Sequence, residues 1–348
     1  MYERRFPFVK LDVFTATPLE GNQLAVFTDA RGLSDADMQA LAREMNLSET
    51  TFVFPRDFAT ERERGIRTRI FTVAEELPFA GHPTLGTAFA LHGPDRRFGG
   101  GSGKLRVYGH ENRLELDLNV GKIPVEFSFK DGRLFGEMTQ PDPAFGNVLK
   151  PEDVAPVAGL EISDLERGLP IQTVSTGMPF AIVPLKSLEA LGRIRLDWKR
   201  AEEYLSRTDA KFLYFITPGG IAADDALGGK AVPPGGKATP PGDKATPPGG
   251  EATPKMRARM IFYNGEDPAT GSAAGCCAAW MVRHGVAQPD QPVLIEQGVE
   301  MKRRSLIHVR ASKSDVGSTP GKSTEGYSVV NVRVGGNVVE VMQGEVFL

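Results

Sequence analysis

The chain predicts an α+β fold built from two similar halves, and three observations carry that prediction. Its 348 residues suggest two domains, at roughly 100–200 residues each, both large enough to bury a core. Short strands of alternating hydrophobicity, parted by Gly-rich turns, recur from end to end. One all-apolar helix in each half begins on small residues just after a strand: Phe79-Ala80-Gly81-His82-Pro83-Thr84-Leu85-Gly86 in the first, Asp267-Pro268-Ala269-Thr270-Gly271-Ser272-Ala273-Ala274-Gly275 in the second. Helices apolar on every side belong in the interior.

Residues 6–14 alternate with Val9, Leu11 and Val13 on one face, Gly21-Asn22 punctuates, and 23–28 reads as the next strand of a hairpin or meander. Ser34 followed three residues later by Asp37 caps a helix carrying Met38, Leu41, Ala42 and Met45 at helical spacing and ending near Asn46. Strands follow at 50–54 and 67–73, then the first apolar helix at 83–91 and strands at 105–107, 114–118 and 125–129. The second half opens with strands at 171–175 and 180–184, a helix over 197–205 and a strand at 212–217. From Gly228 to Pro254 a seven-residue unit repeats, Lys230-Ala-Val-Pro-Pro-Gly-Gly returning at Lys237 and Lys244 and in part at Glu251. Such a tract buries too little to offset roughly 1–2 kcal/mol per residue of backbone ordering, and it lacks the aromatic or Arg anchors of a recognition segment; it reads as a disordered, solvated insertion. A strand at 257–262, a turn at 264–271, the second apolar helix at 272–282 and strands at 293–296, 306–310, 328–334 and 338–342 complete the chain.

Charge removes some function classes. With 41 Lys plus Arg against 44 Asp plus Glu, the net charge of −3 supplies no basic footprint, so neither nucleic acid nor an anionic membrane is expected as partner. No window approaches the roughly 18 consecutive apolar residues of a spanning helix. The opening MYERRFPFVKLDVF enters a strand without the sections of a signal peptide, which predicts a cytoplasmic protein. The two cysteines, Cys276 and Cys277, are adjacent and suit a reducing compartment as buried packing residues. Asn46-Leu47-Ser48 matches a glycosylation triplet, which has no meaning without secretion.

The first turn of a helix has unpaired N–H groups and a partial positive charge, and glycine lets a ligand approach the backbone. Two such starts facing each other would clamp one small anion, although each by itself is equally a tight turn packing helix on sheet.

The ordered set Asp12-Val13-Phe14, Gly21-Asn22-Gln23-Leu24-Ala25-Val26, Leu47-Ser48-Glu49-Thr50, Gly81-His82-Pro83-Thr84-Leu85-Gly86 and Gly265-Glu266-Asp267-Pro268-Ala269-Thr270-Gly271-Ser272-Ala273 resembles the PhzF family of phenazine-biosynthesis-type isomerases. The likeness spans most of the chain apart from the Pro-rich insertion and the weakly matching 141–225. It implies a diaminopimelate epimerase-like fold: two similar domains, each a curved, barrel-like sheet around a central helix, with the active site in the cleft between them. It also implies a homodimer with no metal and no organic cofactor, acting on a small carboxylated substrate. The expected division is 1–118 and 119–337, the latter carrying the insertion 228–254, with a final strand at 338–348 able to return to the first domain.

Glu49 is expected to be the general acid and base, since a carboxylate in a closed apolar cleft beside Asp267 has its pKa raised toward neutrality. The resemblance assigns the matching glutamate a 1,5-proton transfer on trans-2,3-dihydro-3-hydroxyanthranilate. His82, in the first helical turn, would be a neutral imidazole that hydrogen-bonds or shuttles a proton. Asp267 would orient a substrate amine or hydroxyl, its plainer role being an N-terminal cap ahead of Pro268. The amides of Gly81, Gly271 and Ser272, with the Ser272 hydroxyl, would hold the carboxylate, and Asn22 would hydrogen-bond in the same cleft.

The two-thiol racemase version of this fold needs a cysteine in each half, where this chain has Ala80 and Thr270, neither a competent base. Two alternatives stay open: an epimerase or racemase using Glu49 with a second base, and a non-catalytic carboxylate-binding protein. Gly99-Gly100-Gly101-Ser102-Gly103-Lys104-Leu105 fails as a phosphate loop, because Leu105 follows the lysine and Phe98 replaces the required glycine. The histidines at 82, 92, 110, 284 and 308 show no ligand-like pairing, so no metal site is expected. Lys302-Arg303-Arg304 reads as a solvated face, or a dimer contact.

Overall fold

The computed structural model describes residues 4–92, 112–130, 132–219, 255–262, 265–315 and 327–348. The expected strand at 105–107, the glycine-rich 99–105, His110 and the insertion 228–254 lie outside them.

The first repeat runs β1 (Arg5–Val13), β2 (Asn22–Phe27), α1 (Asp35–Met45), β3 (Glu49–Phe54), α2 (Phe58–Arg64), β4 (Ile66–Phe71), β5 (Glu76–Leu77), α3 (Gly81–Leu91), β6 (Arg113–Leu118), β7 (Gly121–Lys130) and β8 (Arg133–Thr139). After β9 (Ala144–Leu149) and α4 (Pro151–Val157) comes the second: β10 (Ile171–Ser175), β11 (Pro179–Pro184), α5 (Leu188–Arg193), α6 (Trp198–Leu205), β12 (Phe212–Pro218), β13 (Lys255–Phe262), β14 (Gly265–Glu266), α7 (Gly271–Arg283), β15 (Val293–Gln297), β16 (Ser305–Asp315) and β17 (Tyr327–Phe347).

Strand pairing makes the repetition exact in sign. Around the first lobe β1, β2, β3, β4, β6, β7 and β8 are neighbours in that order, with β2–β3 and β4–β6 parallel and the other pairs antiparallel. Around the second, β10, β11, β12, β13, β15, β16 and β17 follow the same order, with β11–β12 and β13–β15 parallel. β17 closes the first ring, since its residues 333–337 pair with β8 and 338–347 with β1. A break was expected between 334 and 338, but the strand runs through. Gly335 and Gly336 there serve close approach, a Cβ on either standing 2.6 Å from Gly136 O or Phe14 Cδ1 respectively.

The expected boundary at 118 falls inside the β6–β7 hairpin. On these pairings we propose that the first lobe extends through β8 and takes in 338–347, with the second lobe running from β9 into the first half of β17.

Each lobe wraps one buried helix. Every residue of α3 is buried, as is α7 from Gly271 to Val282, because neither helix offers a polar stripe. α1 lies outside, capped reciprocally by Ser34 and Asp37, and packs Met38 and Leu41 over Phe27, Phe52 and Phe71. A separate cluster under α4, α5 and α6 covers the outside of the second lobe. Three short helices (α2, α4, α5) and the strands β8 and β9 had no sequence prediction: six or seven residues give helical periodicity too little length to register, and β9 is mostly exposed.

The two central helices meet by their first turns. A Cβ on Gly81 would stand 2.4 Å from both Gly271 C and Ser272 N, and one on Gly271 2.9 Å from Phe14 Cζ. Backbone faces backbone, so only glycine fits. Gly81→Ala is therefore expected to destabilise by about 1–3 kcal/mol or more, as overpacked sites do. Urea unfolding measures this, and an unchanged midpoint would refute the contact.

Candidate active site

Three segments deliver polar side chains to the seam where α3 and α7 meet. The β1–β2 connection ends at Asn22, which is 1% exposed. Parallel pairing of β2 with β3, Leu24 opposite Glu49, brings Ser48 and Glu49 beside it. From the other lobe, the turn after β14 presents Asp267 and Thr270.

Asp267 lies at the centre. Its Oδ1 accepts from Asn22 Nδ2 at 2.8 Å and from the Ser48 hydroxyl at 2.9 Å, and its Oδ2 accepts from the Thr270 hydroxyl at 2.7 Å. Asn22 Nδ2 also reaches the Ala269 carbonyl at 2.8 Å and His82 Nδ1 at 3.2 Å. Behind Thr270, Gln297 is saturated: Nε2 donates to the Asp267 carbonyl (2.8 Å) and the Thr270 hydroxyl (2.9 Å), while Oε1 accepts from Thr270 N–H (3.2 Å) and the buried Tyr214 hydroxyl (3.1 Å).

Glu49 stands apart from this network. Its side chain is 13% exposed, with Oε2 3.6 Å from His82 Nδ1. That approach is not an ion pair, because burial pushes the His82 pKa down to about 3, against a weaker opposing backbone contact from Gln23, and leaves the imidazole neutral. Both Asn22 Nδ2 hydrogens are used on Asp267 Oδ1 and the Ala269 carbonyl, the two shorter of its three contacts. Glu49 Oε2 and His82 Nε2 are both buried without a hydrogen-bond partner among the described residues.

Burial, and secondarily the charge of Asp267, raises the Glu49 pKa well above the ordinary carboxyl value. Burial also raises Asp267, to about 6, but hydrogen bonds from Thr270, Ser48 and Asn22 pull it back. Two buried carboxyls this close do not both ionise cheaply. Asp267 has three donors and Glu49 none, so the proton they share resides on Glu49.

The walls are apolar and sulfur-rich. Leu77, Met178, Phe180, Phe212, Met260 and Phe262 enclose Glu49, Asp267, Thr270 and Ser272 around a cavity of about 20 Å³, room for about one water. Gly81, Gly271 and Ser272 bring both helix N-termini to its edge.

All seven expected site residues, Asn22, Glu49, Gly81, His82, Asp267, Gly271 and Ser272, thus converge on one seam. Asp267 is not the helix cap; Thr270 occupies that position. Ser48, Gln297 and Tyr214 were not singled out. Gln297 carried one signal, an amide closing the strand-like segment 293–297 just before Gly298. Cys276 and Cys277 are fully buried, and burial raises both thiols, Cys276 to about 11. Lys302-Arg303-Arg304 is not a solvated face: Arg303 binds Asp12 and Arg304 binds Glu296. Among the described residues no group of three or more His, Cys, Asp or Glu could hold a metal ion, and no helix is long and apolar enough to cross a membrane.

Paired lobes whose buried helices meet start to start at a polar seam define the epimerase-like class of α+β enzymes. A predicted epimerase from Pseudomonas aeruginosa superposes with a TM-score of 0.70 at 31% identity, over 98% of this chain and 99% of that one. The chain belongs to the phenazine biosynthesis-like (PhzC-PhzF) family, whose pattern matches residues 11–216 and 253–344, and it is an isomerase. An uncharacterised isomerase of Mesorhizobium japonicum is 33% identical, covering 98% of both chains. The trans-2,3-dihydro-3-hydroxyanthranilate isomerase of Pseudomonas fluorescens is 32% identical over 98% of this chain and 99% of its own length.

The raised Glu49 pKa has a thermodynamic signature. Its folded value lies above the ordinary 4.5, so the stability it contributes is intact below that value and is lost as pH rises through the folded pKa. Glu49→Gln removes the loss. In urea unfolding the variant should gain on wild type as pH rises above the ordinary carboxyl range; equal pH dependence of the two proteins would contradict the assignment.

Proposed function

We propose that this isomerase shifts a proton and a double bond within a small unsaturated carboxylic acid, with Glu49 as the proton carrier and no cofactor. The observation that carries the reading is Glu49 itself, a buried carboxyl with a free oxygen, facing the amide-rich starts of α3 and α7.

The substrate carboxylate would lie against the first-turn amides of both helices and the Ser272 hydroxyl, where two positive helix ends and a dry wall favour an anion. Glu49 in its carboxylate form takes a proton from a C–H adjacent to the conjugated system. The electron pair moves through the double bonds, and the same carboxyl returns the proton at the far carbon, so the enzyme ends unchanged. A raised pKa serves both halves of that exchange near neutral pH. The neutral His82 ring hydrogen-bonds a substrate oxygen through its unpartnered Nε2, and the Asp267 carboxylate accepts from an amine or hydroxyl. A cavity of about 20 Å³ admits no such acid, so the lobes part for entry and close around it.

The two-thiol racemase arrangement finds no base at its positions: Ala80 has none to offer, and the Thr270 hydroxyl already donates to Asp267. The reading includes a cytoplasmic homodimer, which light scattering would measure.

The trans-2,3-dihydro-3-hydroxyanthranilate used by the Pseudomonas relatives is the first substrate to test. Its turnover changes the ultraviolet spectrum, and in deuterated buffer the product acquires label in a Glu49-dependent way. Glu49→Gln is expected to lower kcat by roughly 10²–10⁴-fold, and wild-type kcat/KM should rise with pH through a limb above the ordinary carboxyl range. Full turnover by Glu49→Gln would exclude the mechanism.

A further inference from the structure

We propose that Arg303 is a positioning residue that sets the spacing of Asn22 and Asp267 across the lobe seam. It lies in the second lobe, on the turn between β15 and β16, and reaches into the first. Its Nη2 donates to Asp12 Oδ1 at 2.7 Å and to the Glu20 carbonyl at 2.8 Å, and its Nε donates to the Gly21 carbonyl at 2.9 Å. The return bond runs from Gly21 N–H to the Arg304 carbonyl at 3.0 Å. Asp12 is 1% exposed, and its second oxygen accepts from Leu19 N–H at 2.6 Å. The whole connection from Leu19 to Gly21 is therefore held on one guanidinium, and Asn22 is the next residue.

The same turn touches the other partner. Arg303 N–H closes it on the Gly298 carbonyl at 3.0 Å, and a Cβ on Gly298 would stand 2.6 Å from the Pro268 carbonyl. One side of the turn thus presses on the residue after Asp267, and the other side grips the residue before Asn22. Asn22 Nδ2 and Asp267 Oδ1 meet at 2.8 Å between these two holds, bridging 245 positions of sequence. Lysine cannot replace this contact, because one ammonium cannot span three acceptors in a fixed fork.

Loosening the hold withdraws one of the three donors to Asp267. The charged and titratable groups facing that carboxyl are Glu49 from β3, His82 from α3, Tyr214 from β12 and Glu266 on its own segment, and the hydroxyls of Ser48 and Thr270 donate to it. None of these touches Arg303, so a change in Asp267 on altering Arg303 reports the two holds of its turn, one on the Gly21–Asn22 connection and one on Pro268.

The test compares wild type with Arg303→Ala, Arg303→Lys and Asp12→Asn. Carbon-13 NMR of aspartate-labelled protein follows the Asp267 carboxyl, assigned by its loss in Asp267→Asn. The titration midpoint is expected to rise in Arg303→Ala, to rise less in Arg303→Lys, and to return when ethylguanidinium is added to Arg303→Ala. A merely structural arginine would lower the unfolding temperature and leave this midpoint in place. If Arg303→Ala does not fold, Asp12→Asn and Arg303→Lys carry the same comparison, and an unmoved Asp267 titration in the folded variants overturns the proposal. The kinetic arm rests on the proposed proton transfer: kcat should fall by on the order of 10²-fold, as small misplacements cause, with KM nearly constant and rescue by ethylguanidinium. A shifted titration without wild-type turnover of the hydroxyanthranilate acid would count against that substrate and leave the role of Arg303 standing.

Discussion

Two helices that meet by their first turns place about half a positive charge against another, with unpaired amides on both sides. Such a contact is unfavourable unless something negative lies beside it, and here the Asp267 carboxylate does. The Gly81–Gly271 approach is what makes the arrangement possible, because any side chain at either position would separate the helices. Once the backbones touch, the seam beside them becomes narrow, dry and electropositive at one edge.

Within the seam, the division of labour between Glu49 and Asp267 comes from hydrogen bonding more than from burial. Both carboxyls are desolvated, yet one is surrounded by donors and the other faces none. In the proposed reaction Asp267 is thereby the fixed anion that orients, and Glu49 the group free to gain and release a proton. His82 stays neutral between them despite two nearby acids, since charging an imidazole at this depth costs more than their attraction returns. Gln297 and Tyr214 do no chemistry in this scheme; they hold the Thr270 hydroxyl so that it points at Asp267.

Much of this architecture was legible from local pattern. The reciprocal cap of Ser34 and Asp37, the all-apolar stretches 83–91 and 272–282, and the alternation in 6–14 each report burial or turn chemistry over a few residues, and each appears where expected. The seven candidate residues that meet at the seam were legible because they sit in short ordered motifs. Short helices such as α2 and α5 were not, nor was the unbroken β17, whose glycine pair looks like an interruption until the close neighbours Gly136 and Phe14 are seen. The basic run at 302–304 misled for a related reason. A charged triplet on a turn resembles a solvated surface, and nothing nearby in sequence shows that Asp12 and Glu296 receive two of its members.

Local sequence alone therefore carried the repeat of small-residue helix starts, the burial of both central helices, the Pro-rich composition of 228–254 and the placing of Glu49 and Asp267 in their motifs. Those properties are set by the composition of short windows, and water sorts such windows by polarity whatever the rest of the chain does. Only the tertiary structure decided which acid keeps the proton, which amide and hydroxyl hold the other, and that Arg303 reaches across to the Asn22 connection. These are contacts between residues hundreds of positions apart, and their geometry exists only after two curved sheets have closed around their helices and brought the helix starts together.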